Sequence, residues 1–376
     1  MALLERTTAT LPSSWYYDPT QYQRELEAVW YRDWVCVGRL DDLREAGDFI
    51  VETVGAESLI LTRDRGGRPR AYHNACRHRG TTLCTTPRGR FVNGRIVCPY
   101  HGWTYALSGE LIATPKMSLP ADFRRDAYAL YEAHAGSWGG FLFVNVNERP
   151  ACTLAEFLGD EARNVERWPL AGLVTVHREK ITLTCNWKVF WENYSECYHC
   201  PGIHPELCRV MPLYREGLLN YADSRTALPR DQAHDTRPRV APGFATWTLD
   251  GQSTLPLIDG PDPEDRALGV VFASFMASLF IVAHPDYVRS VRILPRGPES
   301  VELTVDWLLP PGVAERHPGE LERMYAVGRL VVAQDSRVCE LNQQGLHSRR
   351  HHEGVLMPQE EALQEFHEWL RCRLAD

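Results

Sequence analysis

Lysine is nearly missing from this 376-residue chain: only Lys116, Lys180 and Lys188 interrupt an otherwise all-arginine set of 41 basic residues. We read that as the codon bias of a GC-rich bacterial genome and attach no mechanism to it. A basic excess is missing too. The net charge is −8, which gives no reason to expect nucleic acid or an anionic membrane as partner. No run of about 18 or more apolar residues occurs, so no transmembrane helix is expected. The first seven residues lack a basic stretch followed by an apolar segment, so no signal peptide is expected. No glycine-rich dinucleotide fingerprint is found, so a nicotinamide cofactor would have to be used by another protein. The 11 cysteines show no paired framework, which fits a reducing cytoplasm.

What is present suits two domains with ordinary cores: 376 residues and 44% hydrophobic content. Asp18-Pro19-Thr20 followed by Tyr22, Leu26, Val29 and Trp30 reads as a capped helix with an apolar stripe. From residue 34 to 146 the pattern is short β segments broken by turns, with a hairpin signal at residues 64–67. Asn147-Glu148-Arg149-Pro150 reads as a junction. Beyond it come a helical stretch at 154–165, strands at 174–184, 269–272, 279–282, 288–294 and 301–307, and helices at 321–342 and 358–374. Strands followed by helices suggest an α+β class, with helices packed on an antiparallel sheet. The expected units are an N-terminal helical segment (1–40) packing on the second domain, a β-rich domain (41–147) and a larger domain (148–376).

Two cysteine–histidine clusters fall inside the β-rich region. Cys76-Arg77-His78 and Cys98-Pro99-Tyr100-His101 are separated by 19 residues. Two thiolates and two imidazoles can hold an asymmetric two-iron, two-sulfide cluster, cysteines on one iron and histidines on the other. A Cys2His2 set can also bind zinc. Zinc fingers, however, usually pair Cys with Cys and His with His, whereas each loop here mixes them. Gly80 and Gly102 permit tight loops that aim N–H groups at sulfide. The set resembles a Rieske domain. Its spacer is slightly longer than is usual there, which suggests an extended hairpin at residues 85–89.

A second constellation runs through residues 186–205 and contains His199 and His204. Pro201-Gly202 should break a helix after Cys200, with His199 at the helix end and His204 just past the break. Two histidines alone are weak evidence, and a third ligand is needed. Asp335 lies on an expected helix, with Glu340 as its competitor; we favour Asp335. Two histidines and one carboxylate make the facial triad of non-haem Fe(II) oxygenases.

The whole chain resembles the catalytic α subunit of a Rieske non-haem iron oxygenase. The motif Glu192-Asn193-Tyr194-x-Glu196-x-Tyr198-His199-x4-His204 carries the likeness together with the upstream cluster loops. The resemblance implies a Rieske [2Fe-2S] domain (Cys76, His78, Cys98, His101) over a small antiparallel barrel. It implies a catalytic domain with a central antiparallel sheet flanked by helices, of helix-grip type, holding mononuclear Fe(II) on His199, His204 and Asp335. Glu196 takes the position of the acid that bridges a cluster histidine of one subunit, matching His101, to an iron-binding histidine of the next, matching His199. A head-to-tail homotrimer follows. Electrons would come from NAD(P)H through a separate reductase carrying flavin and its own iron–sulfur centre.

Glutamate at position 196, followed by Cys197-Tyr198-His199-Cys200, is similar to the branch acting on choline, glycine betaine, carnitine and stachydrine. Those are monooxygenases, so hydroxylation or oxidative N-demethylation of a methylated amine is expected. The alternative is dihydroxylation or monooxygenation of an aromatic or natural-product substrate. Quaternary ammonium groups favour aromatic faces. The candidates are Tyr214, Tyr221, Phe244, Trp247, Phe272, Phe275 and Phe280, each of them equally suited to a core. Asp250 and Asp259 read as solvated, and His73, His134, His284, His347 and the run Arg349-Arg350-His351-His352 have bland readings. Lys188 and Asn193 suit packing or hydrogen bonding as well as a direct role.

Overall fold

The computed structural model describes residues 4, 6–115, 118–218 and 238–375. They pack as two units. One comprises Trp30–Phe157; the other joins Met1–Val29 to Leu158–Asp376. The boundaries thus lie at 29/30 and 157/158 rather than 40/41 and 147/148. The first shift arises because the strand Val35–Arg39 is laddered into the β-rich unit.

That unit contains β1 (Val35–Arg39), β2 (Asp48–Val54), β3 (Glu57–Arg63), β4 (Pro69–His73), β5 (Arg88–Arg90), β6 (Arg95–Val97), β7 (Thr104–Ala106), β8 (Leu111–Ala113), β9 (Glu132–Trp138) and β10 (Phe141–Asn145). Seven form one antiparallel sheet in the order β1-β10-β9-β4-β3-β2-β5, and β6-β7-β8 form a second. Residues 85–89 are not a turn. Arg88–Arg90 pairs with β2 as an edge strand, and the reversal comes at Val92–Gly94. Asn93 there has φ 54°, a left-handed value that Asn tolerates better than most residues.

The larger unit is built on β11 (Val174–Leu183), β12 (Val271–Phe275), β13 (Leu279–Ala283), β14 (Val288–Gly297) and β15 (Ser300–Leu309). They form an antiparallel sheet in the order β11-β15-β14-β13-β12. Around it lie α1 (Pro19–Glu25), α2 (Trp187–Tyr194), α3 (Cys200–Ile203), α4 (Pro205–Val210), α5 (Leu321–Leu346) and α6 (Glu361–Ala375). α1 is capped by Asp18, which accepts from the Thr20 N–H at 2.8 Å, but it ends at Glu25 and passes into a wider turn over Leu26–Trp30. The expected helix at 154–165 is split into Leu154–Leu158 and a 3-10 turn, Asp160–Val165, by Gly159 at φ 52°. α5 buries Met324, Val327, Val331, Asp335 and Cys339, spaced by three or four residues. That stripe carries the carboxylate of Asp335 inward with the apolar side chains. No helix among the described residues is long and apolar enough to cross a membrane.

Candidate functional site

In the β-rich unit the first ligand loop leaves β4 and is pinned by Asn74. Its carboxamide oxygen accepts from the N–H groups of Leu83 and Cys84 at 3.1 and 2.8 Å, and its nitrogen donates to Cys84 O at 2.8 Å. The second loop joins β6 to β7. In each, a backbone bond closes the turn: Gly80 N to Cys76 O at 2.9 Å and Gly102 N to Cys98 O at 3.1 Å. Gly102 has φ 72°, and a Cβ there would meet Pro115 Cγ at 2.9 Å, so only glycine fits without displacement. Cys76 and Cys98 are buried, and their thiols are in contact. Burial holds the Cys98 thiol above its ordinary pKa; contact with Cys76 adds to this, against the opposing Tyr100 N–H. Tyr105 Oη lies 3.2 Å from Cys76 Sγ and accepts from the Arg77 N–H. The His78 and His101 rings are 4.7 Å apart, His78 stacks on Trp103, and His101 is exposed. The structure thus brings all four expected ligands to adjoining loop tips, and the mixed donor set fits an asymmetric iron–sulfur cluster.

In the larger unit α2 is capped by Asn186, which accepts from the Lys188 N–H at 3.0 Å. The chain leaves α2 through Ser195 and Glu196. His199 stands at the start of the α3 turn, not at a helix end as expected. Pro201 occupies an early position there, where a missing N–H costs nothing. His204 lies between α3 and α4, with Pro205 opening the next turn.

Three donor atoms converge. His204 Nε2 lies 2.8 Å and His199 Nε2 3.5 Å from Asp335 Oδ1, and the two Nε2 atoms are 3.2 Å apart. Donors bound to one ion at about 2.1 Å on perpendicular bonds lie about 3 Å apart, so the set fits a single facially held cation. The opposite ring nitrogens are engaged by acceptors. His199 Nδ1 lies 2.5 Å from Glu196 Oε1, and His204 Nδ1 lies 2.8 Å from Gln334 Oε1. Such outer partners fix the tautomer that leaves Nε2 free for a metal. Burial lowers the affinity of His199 for a proton, but Asp335 and Glu196 outweigh it and raise the pKa to about 9. Burial would raise Asp335, yet the two imidazoles bring it down to about 2. Asn193 donates to Asp335 Oδ1 at 2.8 Å, which gives that motif residue a direct positioning contact.

Glu340, the competing ligand, accepts from the Thr184 N–H at 3.0 Å and stays outside the site. Cys200 is closer than expected: its sulfur lies 4.0 Å from His199 Nε2 and completes another three-donor group with His199 and His204. It is, however, joined to Cys197 in a disulfide, a pairing the sequence reading did not anticipate. The three-residue separation turns both cysteines to the same side, with Cα atoms 4.9 Å apart. Gln334 also went unanticipated, although its place beside Asp335 on α5 was a usable signal.

A small cavity of about 40 Å3, partly open to solvent, adjoins the triad. Of the aromatic candidates, Tyr214, Trp247 and Phe272 line it, as do Tyr194 and Arg289. Phe244 packs against the same cluster, Phe280 stacks on Trp191 and Tyr194, and Phe275 is core. Tyr221 lies outside the described residues. Asp250 pairs with Arg323, and Asp259 is exposed. His73 pairs with Glu57 and His347 with Glu299, His134 reaches Glu148 O, and residues 349–352 are exposed. His284 is fully buried, which takes its pKa down to about 3.

A family model described as the Rieske [2Fe-2S] domain matches residues 33–124, the stretch that carries both cysteine–histidine loops. The ring-hydroxylating alpha subunit (catalytic domain) matches residues 170–376, more than half of the chain. The glycine betaine monooxygenase oxygenase subunit of Chromohalobacter salexigens is 28% identical over 368 residues, covering 90% of this chain and 80% of that protein. The chloroplastic choline monooxygenase of Arabidopsis thaliana is 28% identical over 379 residues, covering 97% and 82%. The solved quaternary ammonium Rieske monooxygenase CntA in complex with L-carnitine superposes with a TM-score of 0.72 at 20% identity, over 97% of this chain and 96% of that one. The arrangement of two metal-ligand sets on these two folds is therefore one of kinship: the chain belongs to the ring-hydroxylating alpha-subunit family and is a Rieske oxygenase.

Proposed function

We propose that the chain is the oxygenase component of a monooxygenase, served by a separate reductase, that hydroxylates a methylated or quaternary amine. Cys76, His78, Cys98 and His101 hold the [2Fe-2S] cluster, and His199, His204 and Asp335 hold the mononuclear Fe(II). That iron supplies O2 activation next to bound substrate. Glu196 fixes the His199 ring through Nδ1 and presents its carboxylate towards the cluster histidine, His101, of a neighbouring copy in a homotrimer. A separate flavin and iron–sulfur reductase passes electrons from NAD(P)H, and the system works in the cytoplasm.

The observation that carries the substrate class is the cavity. Tyr194, Tyr214, Trp247 and Phe272 share one pocket with the triad, and aromatic faces attract a quaternary ammonium by about 0.5–2 kcal/mol each when desolvated. Two relatives that this chain resembles along most of its length act on such cations. Hydroxylation of an N-methyl carbon consumes O2, two electrons and two protons, and yields water and a hemiaminal. The hemiaminal then breaks its C–N bond to give the demethylated amine and formaldehyde.

Purified protein supplied with a reductase and NADH should release formaldehyde from a methylated amine in step with O2 uptake. Size determination in solution should give three chains per particle. A diol retaining both oxygen atoms from an arene, with no formaldehyde from any methylated amine, would contradict the reading.

A further inference from the structure

Three arginine side chains are among the largest fully buried groups: Arg39, Arg289 and Arg292. Arg39 lies 3.1 Å from Asp41, and Arg292 lies 3.6 Å from Asp306. Arg289 has no carboxylate beside it among the described residues. Its Nη2 donates to Tyr194 Oη at 3.0 Å and its Nη1 reaches Gly328 O at 3.4 Å, while Nε has no acceptor. Burial of a guanidinium without a counter-charge is strongly unfavourable unless something else completes it.

The position is built to hold that cation. Arg289 shares a face of β14 with Val291 and Ile293 and reaches α5 at Gly328. A Cβ on residue 328 would stand 3.0 Å from Arg289 Nη1 and 3.2 Å from Trp307 Cζ2. A second buried donor without an acceptor lies close by. Trp247 Nε1 is unpaired, and the Arg289 guanidinium carbon sits 5.7 Å from the Trp247 ring centre. Both residues line the cavity that adjoins the triad. The cavity therefore has an acidic end, with Glu196 and Asp335, and a cationic end. Consecutive residues of α2 serve the two ends: Asn193 bonds Asp335, and Tyr194 bonds Arg289.

We propose that Arg289, assisted by Trp247, receives a carboxylate of the substrate, so that the enzyme selects a methylated amine bearing a carboxylate over the same amine ending in an alcohol. The assignment rests on the methylated-amine reading of this cavity. A guanidinium fork matches a carboxylate in shape and charge. The same fork repels a substrate whose only charge is a quaternary ammonium, which selects against such a cation.

The test is anaerobic binding calorimetry on the protein carrying both metal centres, with four probes. Glycine betaine and choline differ in carboxylate against alcohol. The neutral-carbon counterparts 3,3-dimethylbutanoate and 3,3-dimethylbutanol repeat that difference without the ammonium. Each carboxylate is expected to bind at least about tenfold more tightly than its alcohol partner. Arg289→Gln should remove that ratio, and Arg289→Lys should keep part of it, with iron content unchanged in both. Equal binding of acids and alcohols by the wild type, or an unchanged ratio in Arg289→Gln, would overturn the proposal. The other axis tests the amine reading separately. If glycine betaine binds no better than 3,3-dimethylbutanoate, the amine reading falls while the carboxylate role of Arg289 stands.

Discussion

Glu196→Gln is expected to lower turnover by about 10- to 100-fold while leaving the Rieske cluster reducible and the protein folded. Glu196 spends its carboxylate on three groups. Oε1 lies 2.5 Å from His199 Nδ1, and Oε2 accepts from the backbone N–H groups of Tyr198 and His199. Glutamine retains the shape and one acceptor oxygen, so the loop can still close. It loses the negative charge that stabilises His199 as a donor and would meet a positively polarised partner ring. The discriminating measurement is the rate at which the reduced cluster is reoxidised by O2 and substrate, normalised to bound iron. A drop in that normalised rate supports a bridging role. Lost iron with an unchanged rate per iron would make Glu196 a positioning residue for His199 alone.

Lys188→Ala is expected to destabilise the larger unit by about 3–5 kcal/mol, because it strands a buried carboxylate. Lys188 and Glu25 both have fully inaccessible side chains. The ammonium donates to Glu25 Oε1 and Oε2 at 2.8 and 2.7 Å, to Asn186 Oδ1 at 2.8 Å and to Trp15 O at 2.9 Å. Trp187 Nε1 adds a further bond to Glu25 at 2.9 Å. Burial lowers the pKa of the ammonium, and Glu25 pushes back. The pair thus ties residues before Val29 to the helix that precedes the iron motif. Denaturant unfolding followed by tryptophan fluorescence should show the loss. The double change Glu25→Gln with Lys188→Met should be markedly less damaging than Lys188→Ala, since no charge is then left buried alone. Equal damage from both would assign the effect to packing.

The candidate ligand sets were the most legible part of the sequence. Each is local: Cys76, His78, Cys98 and His101 sit on two short loops whose glycines permit the turns, and His199 and His204 share one segment. Asp335 was harder, because the choice against Glu340 depends on helix phase. Both lie on α5, but the stripe through Val331, Asp335 and Cys339 faces inward, and Glu340 turns to cap Thr184. Outer partners such as Gln334 and the cavity-lining Arg289 could not be read, since each acquires its place from an element far along the chain. The same holds for Lys188, whose partner is Glu25. The expected turn at residues 85–89 failed because an arginine-rich edge strand carries little hydrophobic alternation, while the actual reversal at Asn93-Gly94 is a plain turn signal. The Cys197–Cys200 pairing was missed because disulfides were sought as a framework and not as a single local link.

The most direct test of the two-centre assignment is iron and acid-labile sulfide per chain, in anaerobically purified wild type and His204→Ala. The expected result is about three irons and two sulfides in the wild type, a two-iron cluster plus one mononuclear ion, falling to about two irons with sulfide unchanged in the variant. Two irons in both proteins would contradict the account, leaving an electron carrier whose His199, His204 and Asp335 bind no iron.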